Sequence, residues 1–508
     1  GDWPTRCLVA YRHAIGKITP PMSQARPNIL WYCTDQQRYD TIGALNNESV
    51  ITPNMDRLVG RGTAFTCAYA QSPICTPSRA SFLTGRYPNA VRAPRNGNNA
   101  FADLYPLVTR LLHETGYDCG LVGKLHLASA FQQVEPRIND GYRFFKWSHA
   151  PRDDWPSGHD YADWVTEQGA ALTELINHCE GIPAELHQTT WATEQAIEFI
   201  REKRSAPWML SVNVYDPHPP FNPPQSYRDL FDPQSMPPPL FRESDLVQQR
   251  RLENIDFQSK AARPEDLDIC DPILPHTPTS MGVRGNNPST GARDAWTLKA
   301  AYYAMLKLVD DQLGRLLQAI DDGGDFNNTL VIFSTDHGES LGDHGLIEKG
   351  CRFYEGLVRV PLIFSWPGQI KTNLQSDALV ELMDIAPTLL DAAAIAKPSH
   401  MQGQSLWPLV TGKTDPRFHK PFVRSEYFDA LKENNGTRAT MYRDDRYKLV
   451  VYHGHDLGEL YDLNVDPGEF SDLWDDPNAC DIKHQLIHQS FDATMLAQDL
   501  GPPRIGPM

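Results

Sequence analysis

The amino-acid sequence predicts an α/β fold, with a mostly parallel central sheet sandwiched by helices and a smaller C-terminal α+β domain carrying an antiparallel sheet. Three observations carry this. At 508 residues the chain is too long for one ordinary core. Short apolar runs alternate with helical patterns through most of it, the signature of parallel strands joined by crossover helices. Beyond residue 395 the texture changes to closely spaced strands and turns. The expected division is an extension or upstream remnant at 1–24, a main α/β domain at 25–395 with an irregular insertion at 220–296, and a small domain at 396–508.

Taken in order, the clearest strands are "NILWYCT" (28–34), "CGLVG" (119–123), "WMLSVNVY" (208–215), "TLVIFST" (329–335) and "VPLIFSW" (360–366). Between the third and fourth, Tyr302, Leu306, Val309, Leu313, Leu316 and Ile320 step by fours and threes along one face of an amphipathic helix. The "DDGGDFNN" turn then leads into the 329 strand. Residues 220–296, rich in Pro and charge, read as a long insertion over one end of the sheet, a candidate lid or subunit contact. "TRATMYRDDRYKLVVYHGHDLGELYDL" reads as antiparallel strands joined by turns, followed by a helix near 482–497. His453 and His455 fall in one of those turns and are read as turn residues.

Composition narrows the function classes. Lys plus Arg at 47 against Asp plus Glu at 64 leaves a net charge of −17, with no basic block, so nucleic acid and anionic membrane surfaces are not expected partners. No window approaches a membrane span. The N-terminal stretch has only the short apolar run "CLVAY" and does not read as a signal peptide. Nine cysteines without CxxC spacing favour a reducing compartment, and a cytoplasmic location is expected.

Chemically capable side chains follow the ends of four of the strands: Asp35 and Gln36, Lys124 and His126, His218, and Asp336 with His337. In an open parallel sheet ligands bind beyond the carboxyl ends of the strands, so these groups can converge. Asp35, Asp336 and His337 fit a divalent metal, since two carboxylates brought together repel unless a cation neutralises them. Oxygen ligands suit calcium or magnesium, and the imidazole tilts the choice toward manganese. Each Asp alone could equally cap a turn. Asp343 and His344, in the second "GDHG" copy, are read as supporting residues, and Lys349 as a cation able to swing into the site.

"ICTPSRASFLTG" (74–85) raises a separate question. Thr76 is a good N-cap and Pro77 is preferred at a first helical position, so a helix is expected to begin there. Its free N–H groups and Arg79 make an oxyanion cradle beside Cys75. A cysteine phosphatase loop needs more residues between Cys and Arg than the three found here. An alternative is oxidation of Cys75 to an aldehyde whose hydrate carries two hydroxyls, one to attack and one to expel the bound group.

With these residues in view, the chain resembles the sulfatases of the alkaline phosphatase superfamily. Cys75-Thr76-Pro77-Ser78-Arg79 matches their Cys-x-Pro-x-Arg signature for formylglycine, and "GYDCGLVGKLH", "DPHPPF", "STDHGESLGDHGLIEKG" and "LMDIAPTLLDAA" are similar to family segments in family order. "TDQQR" and "TDHG" look closest to the bacterial arylsulfatases and phosphonate monoester hydrolases. The resemblance implies an alkaline phosphatase-like fold and a divalent metal, Ca2+ or Mn2+, held by Asp35, Gln36, formylglycine at 75, Asp336 and His337. Many sulfatases have Asp-Asp where this chain has Asp35-Gln36, and often Asn in place of His337.

The resemblance further implies that Arg79 holds one hydroxyl of the hydrate. Asn96, Lys124 and Lys349 would bind non-bridging oxygens, His126 would assist the hydrate and its collapse, and His218 with Lys349 would meet the leaving oxygen. The implied activity is hydrolysis of sulfate monoesters, foremost aryl sulfates, through a sulfo-enzyme hemiacetal. Phosphonate monoester or phosphodiester hydrolysis is the alternative, and a non-catalytic sulfatase-like binding protein is the alternative of another class. The implied partners are a small anionic ester and a formylglycine-generating enzyme. The irregular segments are candidate contacts of a homo-oligomer.

Overall fold

A computed structural model describes residues 26–152, 155, 157–176, 181–267, 294–431, 436–501 and 506. The expected extension at 1–24 and residues 268–293 of the insertion lie outside them.

The main sheet is built from β1 (Asn28–Thr34), β2 (Thr63–Tyr69), β3 (Asp118–Gly123), β4 (Phe144–Trp147), β5 (Trp208–Asn213), β6 (Thr329–Thr335), β7 (Arg359–Ser365), β8 (Leu374–Ser376) and β9 (Val380–Glu381). Its order is β4-β3-β5-β1-β6-β7-β2-β8, with β9 also pairing with β2. β7 pairs antiparallel with β6 and β2, and every other pairing is parallel. β1 is buried along its whole length because each face has its own core: Ile29, Trp31 and Cys33 on one side, Leu30 and Tyr32 on the other. This is why its sequence is a continuous apolar run with no alternation.

The helix Ala295–Asp322 lays Val309, Leu313, Leu316 and Ile320 on one face, and is capped by Asp294, which accepts from Thr297 N–H at 2.8 Å. The helices Cys75–Thr84 and Ile385–Ala392 cover the other face with Phe82, Leu83, Ile385 and Leu389. No helix among the described residues is long and apolar enough to cross a membrane.

Several details differ from the sequence expectation. β7 runs against its neighbours, and β5 ends at Asn213, two residues short of the expected end. β2, "TAFTCAY", went unread because Thr and Ala dilute its apolar signal. It matters because it runs with β1 and β6 and delivers the chain to Cys75 at the edge where Asp35 and Asp336 emerge.

The C-terminal strands form a four-stranded antiparallel sheet in sequence order, β10 (Val423–Phe428), β11 (Arg438–Arg443), β12 (Tyr447–Tyr452) and β13 (Leu457–Asp462). The last helix is Cys480–Leu496. Val423, Tyr427, Met441 and Val450 share a core with Tyr69, Ile74 and Val358, so the small sheet backs the segment that carries Cys75. Lys420 ties the two parts by pairing with Glu381 and, at 2.7 Å, with Asp384.

The described part of the insertion braces the loop after β6. Leu240 N–H donates to Asp343 Oδ1, His344 pairs with Asp245, Gln258 N–H donates to the Lys349 carbonyl and Cys351 N–H donates to the Asp256 carbonyl. Asp343 also pairs with Arg38 at 2.8 Å. Asp343 and His344 thus support the Lys349 loop, as expected.

Candidate active site

The ends of β1, β3 and β6 bring Asp35, Gln36, Lys124, Asp336 and His337 together, and Cys75, Arg79, His218 and Lys349 meet them from other segments. Asp35 and Asp336 follow β1 and β6 directly, and their partners in the sheet, Thr34 and Thr335, lie side by side. Lys124 follows β3, its N–H donating to the Asn213 carbonyl at 3.0 Å. Gly123, at φ +98, permits that approach: a Cβ there would lie 2.0 Å from the Asn213 oxygen.

Cys75 opens a helix whose every residue is buried. The helix starts one residue before the expected cap: Ile74 is extended, and its carbonyl accepts the first helical bond from Ser78 N–H at 3.1 Å. Thr76 therefore lies inside the first turn with its hydroxyl buried and unpartnered. Asn96 supplies what Thr76 does not, its Oδ1 accepting from Thr76 N–H at 2.9 Å. That leaves the Asn96 NH2 group as the part able to meet an oxyanion.

Around Cys75 Sγ stand His337 Nε2 at 3.1 Å, Lys349 Nζ at 3.0 Å and Asp35 Oδ1 at 3.9 Å. Burial pushes the thiol up, but Lys124 and Lys349 outweigh it and bring it down to about 7. Arg79, 1% exposed, is locked in place: Nε donates to Asp336 at 2.9 Å, Nη1 to the Lys124 carbonyl at 3.0 Å, and Nη2 lies 3.4 Å from Asp35. Lys124 Nζ lies 2.5 Å from Asp35 Oδ2. Burial raises the Asp35 carboxyl, yet Lys124, with Arg79 and Lys349, holds it well below the usual carboxylate range.

The donors of Asp35, Cys75, Asp336 and His337 all lie within 4.8 Å of one another and are buried. Two features show that they suit a cation. His337 Nδ1 meets the Gly338 carbonyl at 2.9 Å, so Nδ1 carries the proton and the Nε2 lone pair faces the cluster. Lys349 Nζ already stands in for a positive charge there, 2.7 Å from Gln36 Oε1, 3.0 Å from Cys75 Sγ and 3.4 Å from His337 Nε2. Gln36 thus joins the cation-facing set although its side chain is neutral. Burial pulls the His337 imidazole down, but the Asp336 carboxylate outweighs it and leaves its pKa raised.

The histidines divide by tautomer. His218 Nδ1 meets the Pro219 carbonyl at 2.7 Å, which leaves Nε2 to accept from Lys349 Nζ at 3.0 Å. Burial and Lys349 push His218 well below its ordinary pKa, so it is neutral. His126 is buried with Nδ1 unpartnered, and burial and Lys124 keep it neutral as well. His453, by contrast, bonds Thr440 in the C-terminal hairpin, away from these groups.

Sequence reasoning missed four contributors. Glu135 accepts from the backbone N–H groups of His126, Leu127 and Ala128 at 2.7, 2.9 and 3.3 Å, and so holds the His126 loop. His149 packs edge-on against His126, ring centroids 4.5 Å apart. Glu339 accepts from Gln36 Nε2, which turns Gln36 Oε1 toward Lys349. Glu348 lies beside Lys349 with an unpartnered carboxyl oxygen. Only Glu339 had a usable sequence signal, its place two residues after His337 in the same strand-end loop.

A buried helix start facing three cations, with a cation-seeking acidic cluster at the carboxyl edge of a helix-sandwiched sheet, defines a hydrolase of anionic esters of the alkaline phosphatase kind. Residues 27–395 match the sulfatase family model, so the chain belongs to the sulfatase family. Residues 342–495 match the model described as N-sulphoglucosamine sulphohydrolase, C-terminal. The arylsulfatase of Clostridium perfringens is 28% identical over 469 residues, covering 88% of this chain and 90% of that one. The choline-sulfatase of Rhizobium meliloti is 27% identical over 476 residues, covering 90% and 84%. The crystal structure of the phosphonate monoester hydrolase of Agrobacterium radiobacter shares the fold, with a TM-score of 0.77 at 24% identity, covering 95% of this chain and 98% of that one. Sulfuric ester hydrolysis is the activity that family membership supports.

Proposed function

We propose that the protein hydrolyses sulfate monoesters, aryl sulfates foremost, with formylglycine at position 75 as the nucleophile. The observation that carries this is the placement of Cys75 Sγ at the first residue of a buried helix, 3.0 Å from Lys349 Nζ and 3.1 Å from His337 Nε2. The aldehyde hydrate supplies one hydroxyl to displace the alcohol at sulfur and a second whose deprotonation expels sulfate and restores the aldehyde. A divalent metal, Ca2+ or Mn2+, held by Asp35, Gln36, residue 75, Asp336 and His337, would supply charge neutralisation at the sulfate.

The remaining work falls to side chains fixed before the substrate arrives. Arg79, locked by Asp336, holds the hydrate. Lys124, Lys349 and the Asn96 NH2 group bind non-bridging oxygens. Because His218 is neutral with its lone pair on Lys349, the proton for the leaving oxygen comes from Lys349, and His218 aims it. Neutral His126 accepts the proton of the second hydroxyl. Maturation would require a formylglycine-generating enzyme. We place the protein in the cytoplasm, consistent with six free cysteines among the described residues.

A second reading, phosphonate monoester or phosphodiester hydrolysis on the same residues, is favoured by the fold shared with a phosphonate monoester hydrolase. Measuring kcat/KM for p-nitrophenyl sulfate and for the matching phenylphosphonate monoester separates the two. The expected result is a preference for the sulfate of at least about 10-fold. A preference of that size for the phosphonate reverses the ranking, and turnover of neither by metal-loaded protein points to a binding protein.

A further inference from the structure

Glu135 is a buried acid, 2% exposed, that gathers four N–H groups. Its Oε1 accepts from the His126 backbone N–H at 2.7 Å and from Trp147 Nε1 at 3.0 Å, and its Oε2 accepts from the N–H groups of Leu127 and Ala128 at 2.9 and 3.3 Å. All four contacts come from donors, so none offers an acceptor to a protonated carboxyl, and the pattern fits a carboxylate. Consecutive backbone N–H groups turn toward one anion when the run includes a left-handed residue, and His126 is that residue, at φ +58. Such a conformation is uncommon outside glycine and persists where the surroundings impose it. Trp147 restrains the ring as well: it stacks on His149, centroids 6.4 Å apart, and His149 packs edge-on against His126 at 4.5 Å. Backbone and imidazole of His126 are therefore held by one connected unit.

We propose that Glu135 is a positioning residue for His126, and that its carboxylate sets the rate at which the covalent intermediate collapses while leaving its formation nearly untouched. This rests on the sulfate ester reading above. Formation uses residue 75 as nucleophile and Lys349 as proton donor, whereas the hydrogen bonds of Glu135 go to residues 126–128 and Trp147. In the collapse His126 takes the proton of the free hydroxyl. The O–H electron pair becomes the second bond of the aldehyde C=O, and the C–O bond to sulfate breaks as sulfate leaves. A proton transfer needs heavy atoms within about 2.6–3.2 Å, so a His126 released from its left-handed turn loses this step first.

The test is the kinetics of metal-loaded wild type, E135Q, E135D, H126N and the double variant E135Q/H126N on p-nitrophenyl sulfate. E135Q keeps the shape and one acceptor oxygen but turns an NH2 group onto N–H donors. Its kcat is expected to fall roughly 10- to 100-fold and its KM with it, leaving kcat/KM within about 3-fold of wild type. Stopped-flow then shows a burst of p-nitrophenolate approaching one per folded molecule. E135D, which keeps the charge on a shorter arm, shows the same pattern with a smaller fall and carries the test should E135Q not fold. H126N shows the burst too, and adding E135Q to it costs no more than about 2-fold further, because both act on one step. An unchanged kcat, a fall in kcat/KM that matches the fall in kcat, no burst in the Glu135 variants, or losses that multiply in the double variant overturns the inference, while a burst in H126N keeps the sulfate reading standing. Absence of a burst in H126N overturns the role given to His126 in that reading and the inference with it, and failure of wild type to hydrolyse the ester overturns the sulfate reading itself.

Discussion

Cys75→Ala lowers kcat on p-nitrophenyl sulfate by roughly 10^4-fold or more, because it removes the group that becomes the nucleophile. Asp35, Asp336 and Glu339 are engaged by Lys124, Arg79 and Gln36, and His218 and His337 are held by carbonyls at Nδ1. The substitution removes one small buried group from a helix secured elsewhere by Asn96 and by Ser78, whose hydroxyl donates to the Asp336 carbonyl. The fold should survive, with a loss on the order of 1–2 kcal/mol by analogy with other small deletions from cores. Thermal unfolding and steady-state kinetics on the same sample check both halves. A variant that folds and keeps activity within tenfold of wild type would show that position 75 is not the nucleophile.

Asp336→Asn preserves shape and removes charge, and its effect is expected in two readouts at once. Asp336 Oδ2 is the nearer carboxylate to Arg79, at 2.9 Å against 3.4 Å for Asp35. Taking its charge away leaves a guanidinium that is 1% exposed with the Lys124 carbonyl and only the more distant carboxylate. Breaking a buried pair typically costs about 3–5 kcal/mol, and the remaining Asp35 contact places this case toward the lower figure. Asp336 Oδ1 also accepts from the backbone N–H groups of Gln36 at 3.1 Å and His337 at 3.0 Å, so the single amide oxygen of Asn can serve these groups or Arg79 but not both. Because Asp336 is one of the donors that suit a cation, added divalent metal should raise the Tm of wild type and raise that of D336N much less. The rate should fall by about 10^3-fold or more, reflecting both a misplaced Arg79 and the missing ligand. Equal stabilisation of both proteins by metal would remove Asp336 from the metal site.

Much of the fold and of the site is legible in the sequence, for an identifiable reason. Strands buried on both faces write themselves as unbroken apolar runs, and the polar residue ending each run is where an open parallel sheet does chemistry. Asp35, Lys124, Asp336 and His337 were readable on that basis, and β11 to β13 by alternation and their turns. β2 hid behind Thr and Ala, so the arrival of Cys75 at the same edge could be inferred only from the resemblance. The N-cap was misplaced because Thr76 has the right chemistry one residue too late: an extended Ile74 starts the helix, and Asn96, twenty residues on, does the capping. Glu135 was unreadable because it acts through loop backbone, with His126 in a left-handed conformation that no spacing rule encodes. The Lys349 proton assignment needed a tautomer, and the tautomer needed the Pro219 carbonyl.

The most direct test of the account is the mass of the peptide carrying Cys75 from fully active protein, measured with and without an aldehyde-reactive hydroxylamine. The account predicts a residue lighter than cysteine by the difference between a thiol and an aldehyde, and an adduct with the reagent in proportion to specific activity. An intact thiol throughout a preparation of full activity would contradict it.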